Sequence, residues 1–253
     1  MSERPVALAT PVALATPVAL ATGAGHRLGR AFAVGLARAG FDVAVHYRGS
    51  FEQAAETARL VRAEGREAET FQADLADADA ARGLVPRVLE RFSRLDVLLH
   101  AASPWIERPF LEMTADDWDA SFDAGPRAAF LLAQAAAAAL SEREGSILLI
   151  GDVAAVKPWP NHVPHAAAKA AIHALVVNLA VALGPRVRVN GLAPGVVLPP
   201  DDLAPEAVDR LVARTPIKRL VRVDDVVAGA IHLVTNRSVT GHVLFVDGGR
   251  AVV

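Results

Sequence analysis

The 253-residue sequence contains no cysteine. That excludes a disulfide framework and any thiolate-bound metal, and it suits a reducing cytoplasm. Aromatic residues are scarce, 5% against 53% hydrophobic residues overall, so the core must pack closely from Ala, Val and Leu. Charge of one sign is lacking too. A formal net charge of −2 gives no electrostatic basis for binding nucleic acid or a membrane surface. His162, His165 and His173 form a partial helical stripe with Lys169, but no carboxylate accompanies them at metal-ligand spacing, so no metal site is expected. The chain is long enough for one large domain with a buried core.

What is present begins with a repeat. Pro5-Val-Ala-Leu-Ala-Thr10 recurs at 11–16 and at 17–22. The third copy reads as a first strand and the other two as duplicated sequence, so the expected division is an extension over 1–16 and a domain over 17–253. A period of 6 residues is too short for a solenoid unit. The Glu3-Arg4 start, the interrupting prolines and the direct run into a glycine loop argue against a signal peptide.

Beyond the repeat, strand-like and helix-like segments alternate. Strands are expected at 18–21, 41–47, 67–72, 95–100, 146–150, 187–192 and 243–246. Helices are expected from the glycine loop to about 38, then over 51–64, 78–92, 116–140 and 163–183. Continuous apolar strands separated by helices imply a parallel sheet covered on both faces. The expected fold is therefore a single doubly wound α/β domain with a sheet of about seven strands, its ligands at the carboxyl ends of the strands. Leu198 to Arg219, rich in Pro and Asp, reads as a substrate-covering lid.

Thr22-Gly23-Ala-Gly-His-Arg27-Leu28-Gly29 follows the first strand and opens a helix. Glycines there let the backbone turn tightly and approach a pyrophosphate, whose charge a helix N-terminus favours. Glycine-rich turns are common, and the position after a first strand is what makes this one informative. After the second strand, His46-Tyr47-Arg48-Gly-Ser50 has no acidic residue for a ribose 2′-hydroxyl. Arg48 and Ser50 suit a 2′-phosphate instead, which favours NADP(H); an exposed loop arginine is the plain alternative. His165 and Lys169, four residues apart, share one helix face, where an acid and an amine can serve one substrate oxygen. Taken alone, two such residues are more often solvated.

Together these segments resemble the short-chain dehydrogenase/reductase family over Val18 to Gly249. Ala73-Asp74-Leu75, Val189-Asn190-Gly-Leu-Ala-Pro194-Gly195 and Thr240 to Gly249 carry the likeness further. The resemblance implies a Rossmann-type domain binding NADP(H). Asp74 and Leu75 would lie by the adenine, Pro194 and Gly195 by the nicotinamide, and Gly23, Arg27, Leu28, Gly29, Tyr47 and Ala101 among the other cofactor contacts. It also implies that Lys169 holds the nicotinamide ribose. Within the family the chain is similar to the pteridine reductases: Arg27 stands in the glycine loop, His46 to Arg48 end the second strand, and Asp152 stands 13 residues before His165 where other members have serine. Trp105 falls where those enzymes stack an aromatic ring on the pterin; a buried loop anchor is the alternative. On this likeness Arg27, Trp105 and Asp152 are substrate contacts, and Asp152, His165 and Lys169 the catalytic group.

Three positions depart from the family pattern: His165 for the catalytic tyrosine, His100-Ala101 for paired asparagines, and Gly125, beside Pro126, for the asparagine of the long helix. An imidazole releases a proton near neutrality more readily than a phenol, but its nitrogen falls short of the tyrosine oxygen by roughly 2 Å. A small misplacement costs on the order of 100-fold in rate. The expected function is an NADP(H)-dependent oxidoreductase reducing a small flat or carbonyl/imine-type substrate, pterin-like ones included. The alternative is an impaired member acting as a nucleotide-binding or scaffold protein. The family builds dimers and tetramers through the helices matching Ala133 to Leu140 and Ala166 to Leu183, so a homodimer or homotetramer is expected, although an alanine-rich face also suits a core.

Overall fold

Every residue of Val18–Thr22 is buried, which requires neighbouring strands on both sides and helices on both faces. The computed structural model, which describes residues 16–200 and 203–253, shows this segment as β1. It pairs in parallel with β2 (Asp42–Tyr47) and with β4 (Val97–His100). With β3 (Ala68–Gln72), β5 (Ser146–Ile150), β6 (Arg188–Pro194) and β7 (Val243–Val246), the sheet has seven parallel strands in the order β3-β2-β1-β4-β5-β6-β7. The order reverses between β1 and β4, so the connections leaving their carboxyl ends diverge and open a crevice there. The expected doubly wound fold is what the chain forms.

Period-2 alternation splits the core in two. Ala19 and Ala21 face one layer with Phe32, Leu36, Val45 and Leu233; Val18 and Leu20 face the other with Leu84, Val88, Leu132 and Ile172. The first layer is covered by α1 (Arg27–Arg38), α2 (Phe51–Ala63) and α8 (Val223–Thr235). The second is covered by α3 (Ala78–Phe92), α5 (Ala128–Ser141) and α6 (Val163–Leu183).

Two helices differ from expectation. The helix expected over 116–140 is interrupted: α4 (Ala115–Phe122) passes through a π-helical turn, Asp123–Arg127, into α5. Gly125 there has φ −92° and ψ −108°, and Pro126 has no N–H to continue the ladder. The sequence reading has no counterpart of α8, whose Val226, Ala230, Leu233 and Val234 are buried. The lid segment carries a short helix, α7 (Pro205–Ala213), with no buried residue. The first two repeat copies lie, Thr16 apart, outside the described residues.

Candidate functional site

The crevice is built first from glycine geometry. Gly23 has φ +65°, and a Cβ there would stand 2.9 Å from the backbone of Ala102. A Cβ on Gly29 would stand 2.0 Å from the Gly23 carbonyl oxygen. The loop therefore lies flat between β4's continuation and α1, a cradle that side chains would fill. At the start of α1, His26 makes no side-chain cap and the first turn has no acidic residue, so the leading amides are open to an anion. This fits a pyrophosphate.

His46, which the sequence marks only as part of a run, holds this loop from below. Its Nδ1 accepts from the Gly23 amide at 3.1 Å and its Nε2 donates to the Ala73 carbonyl at 3.1 Å. That pattern assigns a neutral ring, and burial pushes its pKa down to about 4. Arg27, at φ 52°, donates to the Leu198 carbonyl and so ties the glycine loop to the lid segment. Leu28 packs partly buried against the first core layer.

Further along the crest, Arg48 is exposed and its carbonyl accepts from Gln72 Nε2 at 3.0 Å. Ser50 Oγ lies 2.9 Å from where a Gly25 Cβ would be, so Ser50 borders the glycine turn. Tyr47 is buried against Phe51, ring centres 5.9 Å apart. Asp74 is exposed and caps the Ala76 amide at 3.0 Å. Leu75 points into the second core layer, so it faces the crest only through its backbone. Ala101 is half-buried beside Gly23; Pro194 ends β6 and Gly195 follows it, with the Gly195 amide on the Val246 carbonyl.

At the other end, β5 and α6 bring the catalytic candidates together. Asp152 Oδ1 accepts from the Ala154 amide at 2.7 Å, and its Oδ2 lies 3.6 Å from His165 Nε2. His165 is 4% exposed and, among the described residues, its Nε2 has no hydrogen-bond partner. Lys169, one turn on, donates to the Ile150 carbonyl at 2.8 Å; burial pushes its pKa down to about 8, with Asp152 opposing. The chain's single tyrosine is Tyr47, at the end of β2 and away from this group, so no phenol serves here. Trp105 is half-exposed, its ring 4.4 Å from His162 and edge-on to His165 at 4.9 Å. Trp105 thus packs against rings on one side and leaves about half of its surface open. His162 and His165 share Trp105, with His162 also turned to the Ile106 carbonyl, while His173 lies edge-on to Phe245.

His100 is the larger surprise. Thr22 Oγ1 accepts from the Ala101 and Ala102 amides at 3.2 and 3.3 Å, so its own proton goes to His100 Nδ1 at 2.9 Å. The imidazole proton is thereby placed on Nε2. Burial pushes the pKa down to about 3, with Lys169 and His46 in the same direction; the Gly125 and Ala124 carbonyls act in the opposite sense without closing a well-formed hydrogen bond. Histidine thus fills the space beside the π turn. Thr22, His46 and His100, which the sequence names within motifs without a bracing role, had one readable signal of it: polar residues at the ends of otherwise apolar strands.

A protein-family model described as Enoyl-(Acyl carrier protein) reductase matches residues 23–251. The chain is similar to an L-rhamnose 1-dehydrogenase (NAD(P)(+)) of Sphingomonas sp. (strain SKA58), 33% identical over 234 residues that cover 89% of this chain and 92% of the relative. Among solved structures, it is similar to a putative short-chain dehydrogenase/reductase from Burkholderia xenovorans, with TM-score 0.88 and 27% identity over 95% of this chain and 100% of that one. It is also similar to the angucycline C-6 ketoreductase LanV with bound NADP, with TM-score 0.87 and 26% identity over 94% and 96% of the two chains.

Proposed function

The chain belongs to the short-chain dehydrogenase/reductase family, and from that premise we propose that it is an NADP(H)-dependent oxidoreductase reducing a small flat or carbonyl/imine-type substrate. The observation that carries this reading is the buried Lys169 amine, one helical turn from His165 and Asp152 at the carboxyl end of β5. The relatives' names supply the cofactor class: NAD(P)(+) for the rhamnose dehydrogenase and NADP for the ketoreductase. Arg48 and Ser50, with no acid at the end of β2, favour the phosphorylated form.

When bound, the nicotinamide supplies the hydride. Lys169 holds the ribose hydroxyls, and His165 gives a proton from Nε2 to the substrate oxygen or nitrogen, directly or through a water that spans the shorter reach of the ring. Asp152 orients that ring and the substrate. Arg27 and the half-exposed Trp105 give a flat, pterin-like heterocycle a charged edge and a stacking face. A homodimer or homotetramer formed through α5 and α6, working in the cytoplasm, completes the reading.

NADPH oxidation against a panel of pterins, quinones and carbonyls tests it: turnover of at least one class is expected. NADPH binding without turnover at any pH overturns it in favour of a second reading, a nucleotide-binding protein that has lost the chemistry. That reading is favoured by the His165 nitrogen, which is buried, unpartnered and walled by Trp105. His165→Tyr separates the two. Loss of on the order of 100-fold in kcat is expected if the imidazole is used; a gain marks a decayed site. Arg48→Glu is expected to weaken NADPH binding on the order of 10- to 100-fold while sparing NADH, as calorimetry with each would read.

A further inference from the structure

Arg250 opens the last turn of the chain, after the Gly248–Gly249 corner, and is 5% exposed. A guanidinium that deep ordinarily meets a carboxylate, because an unpaired buried charge is costly. Among the described residues Arg250 has no ion-pair partner. Its Nη1 reaches the Leu211 carbonyl of α7 at a long 3.4 Å, and its Nε has no partner at all. Asp247, the nearest acid in sequence, is committed elsewhere: its carboxylate accepts from the Gly249 and Ala251 amides at 2.9 and 2.6 Å.

The surroundings place this cation at the substrate end of the crevice. Its guanidinium lies 5.9 Å from the Trp159 ring, and Trp159 Nε1 is a second buried donor with no partner. Trp159 meets Trp105 edge-on at 5.6 Å, and Trp105 in turn contacts His165. Two orphaned N–H donors thus belong to one aromatic wall that runs to the proposed proton donor, with α7 above it. Burial and the like charge of Arg214 both disfavour the charged guanidinium, and Asp152 and Asp247 only partly offset them.

We propose that Arg250 is the anion-recognition residue of the substrate site, and that the physiological substrate is a flat keto acid whose carboxylate is held by Arg250 and the Trp159 N–H while its carbonyl faces His165 and Lys169. The inference rests on the oxidoreductase reading. It adds the charge of the substrate, and it assigns α7 a role, since α7 supplies the carbonyl that Arg250 contacts among the described residues. A paired, dehydrated guanidinium discriminates strongly between a carboxylate and its neutral ester.

Calorimetry on the full chain with NADP(H) bound tests this, using benzoylformate and methyl benzoylformate as an acid and ester of nearly equal shape. The acid is expected to bind on the order of 10- to 100-fold more tightly than the ester. Arg250→Gln should remove that preference, Arg250→Lys should restore part of it, and Trp159→Phe, which keeps a ring but not the N–H, should lessen it. If Arg250→Gln does not fold, the lysine and phenylalanine variants still decide the matter. Equal binding of acid and ester, failure of the acid to bind, or an acid preference unchanged in the variants overturns the proposal. NADPH binding measured on the same samples keeps the two failures apart. Its absence sinks the oxidoreductase reading, whereas its presence without an acid preference sinks only the role of Arg250.

Discussion

At the scale of single residues, buried histidines under the cofactor loop set how this protein answers to pH. His46 and His100 titrate at about 4 and about 3 in the fold, against 6.5 for a free ring, burial being the main cause in both. The unfolded chain takes up these protons as the pH falls through about 6.5, while the folded chain resists until about 4 and then about 3. Stability is therefore complete above that window and is lost across it, on the order of 3–5 kcal/mol per ring. Urea midpoints taken between about pH 7 and about pH 4.5 should fall steeply, and His100→Asn should flatten the slope; an unchanged slope would remove His100 from this account. Lys169 acts in the alkaline range. Its folded pKa of about 8, against 10.5 for a free lysine, leaves a charging penalty below about 8 that is relieved as the pH rises toward 10.5, a gain that Lys169→Met should abolish. The His165–Lys169 pair was legible because helical spacing fixes which side chains meet. The Thr22–His100 bond spans 78 residues, and no local pattern announces it.

Among the elements, the glycine loop and the π turn show where backbone geometry decides the site. Gly29→Ala puts a methyl 2.0 Å from the Gly23 carbonyl. The loop must shift, at a cost of about 1–3 kcal/mol. Thermal melting should show that loss, together with a smaller NADPH-induced rise; an unchanged rise would mean that the loop does not carry the pyrophosphate. The strands and most helices were legible because their apolar runs are continuous and their ends are marked by Gly, Pro or Asp. Asp77, for example, caps α3 by accepting from the Asp79 and Ala80 amides. The break between α4 and α5 was not, because helical segments lie on both sides of Gly125-Pro126 and the π turn keeps the chain helical through it. Helix α8 escaped notice because Asp224, Asp225 and Gly229 dilute an apolar stripe that only the first core layer completes.

For the molecule as a whole, the open question is what covers α5 and α6. Phe130 is 46% exposed, Val177 53% and Val181 81%. Helix α6 is long and apolar enough to cross a membrane by length and composition alone, yet its Lys169 and His165 face the crest and its body packs on β6. Covering its outer stripe with a second copy accounts for both facts. Val181→Glu should then convert the assembly to monomers in sedimentation velocity; a wild-type chain that already sediments as a monomer would end the oligomer proposal.

The sequence by itself determined the alternation of strand and helix, the parallel sheet and the glycine loop, because each follows from local periodicity and backbone freedom. It also placed Asp152, His165 and Lys169 in register, since short loops and one helix join them. Only the tertiary structure decided that His46 and His100 are neutral braces, that Trp105 stands half-open over the site, and that Arg250 lies buried without a counter-ion among the described residues. Those properties depend on dielectric surroundings and on contacts between residues far apart in the chain, which exist only once both core layers have closed on the sheet.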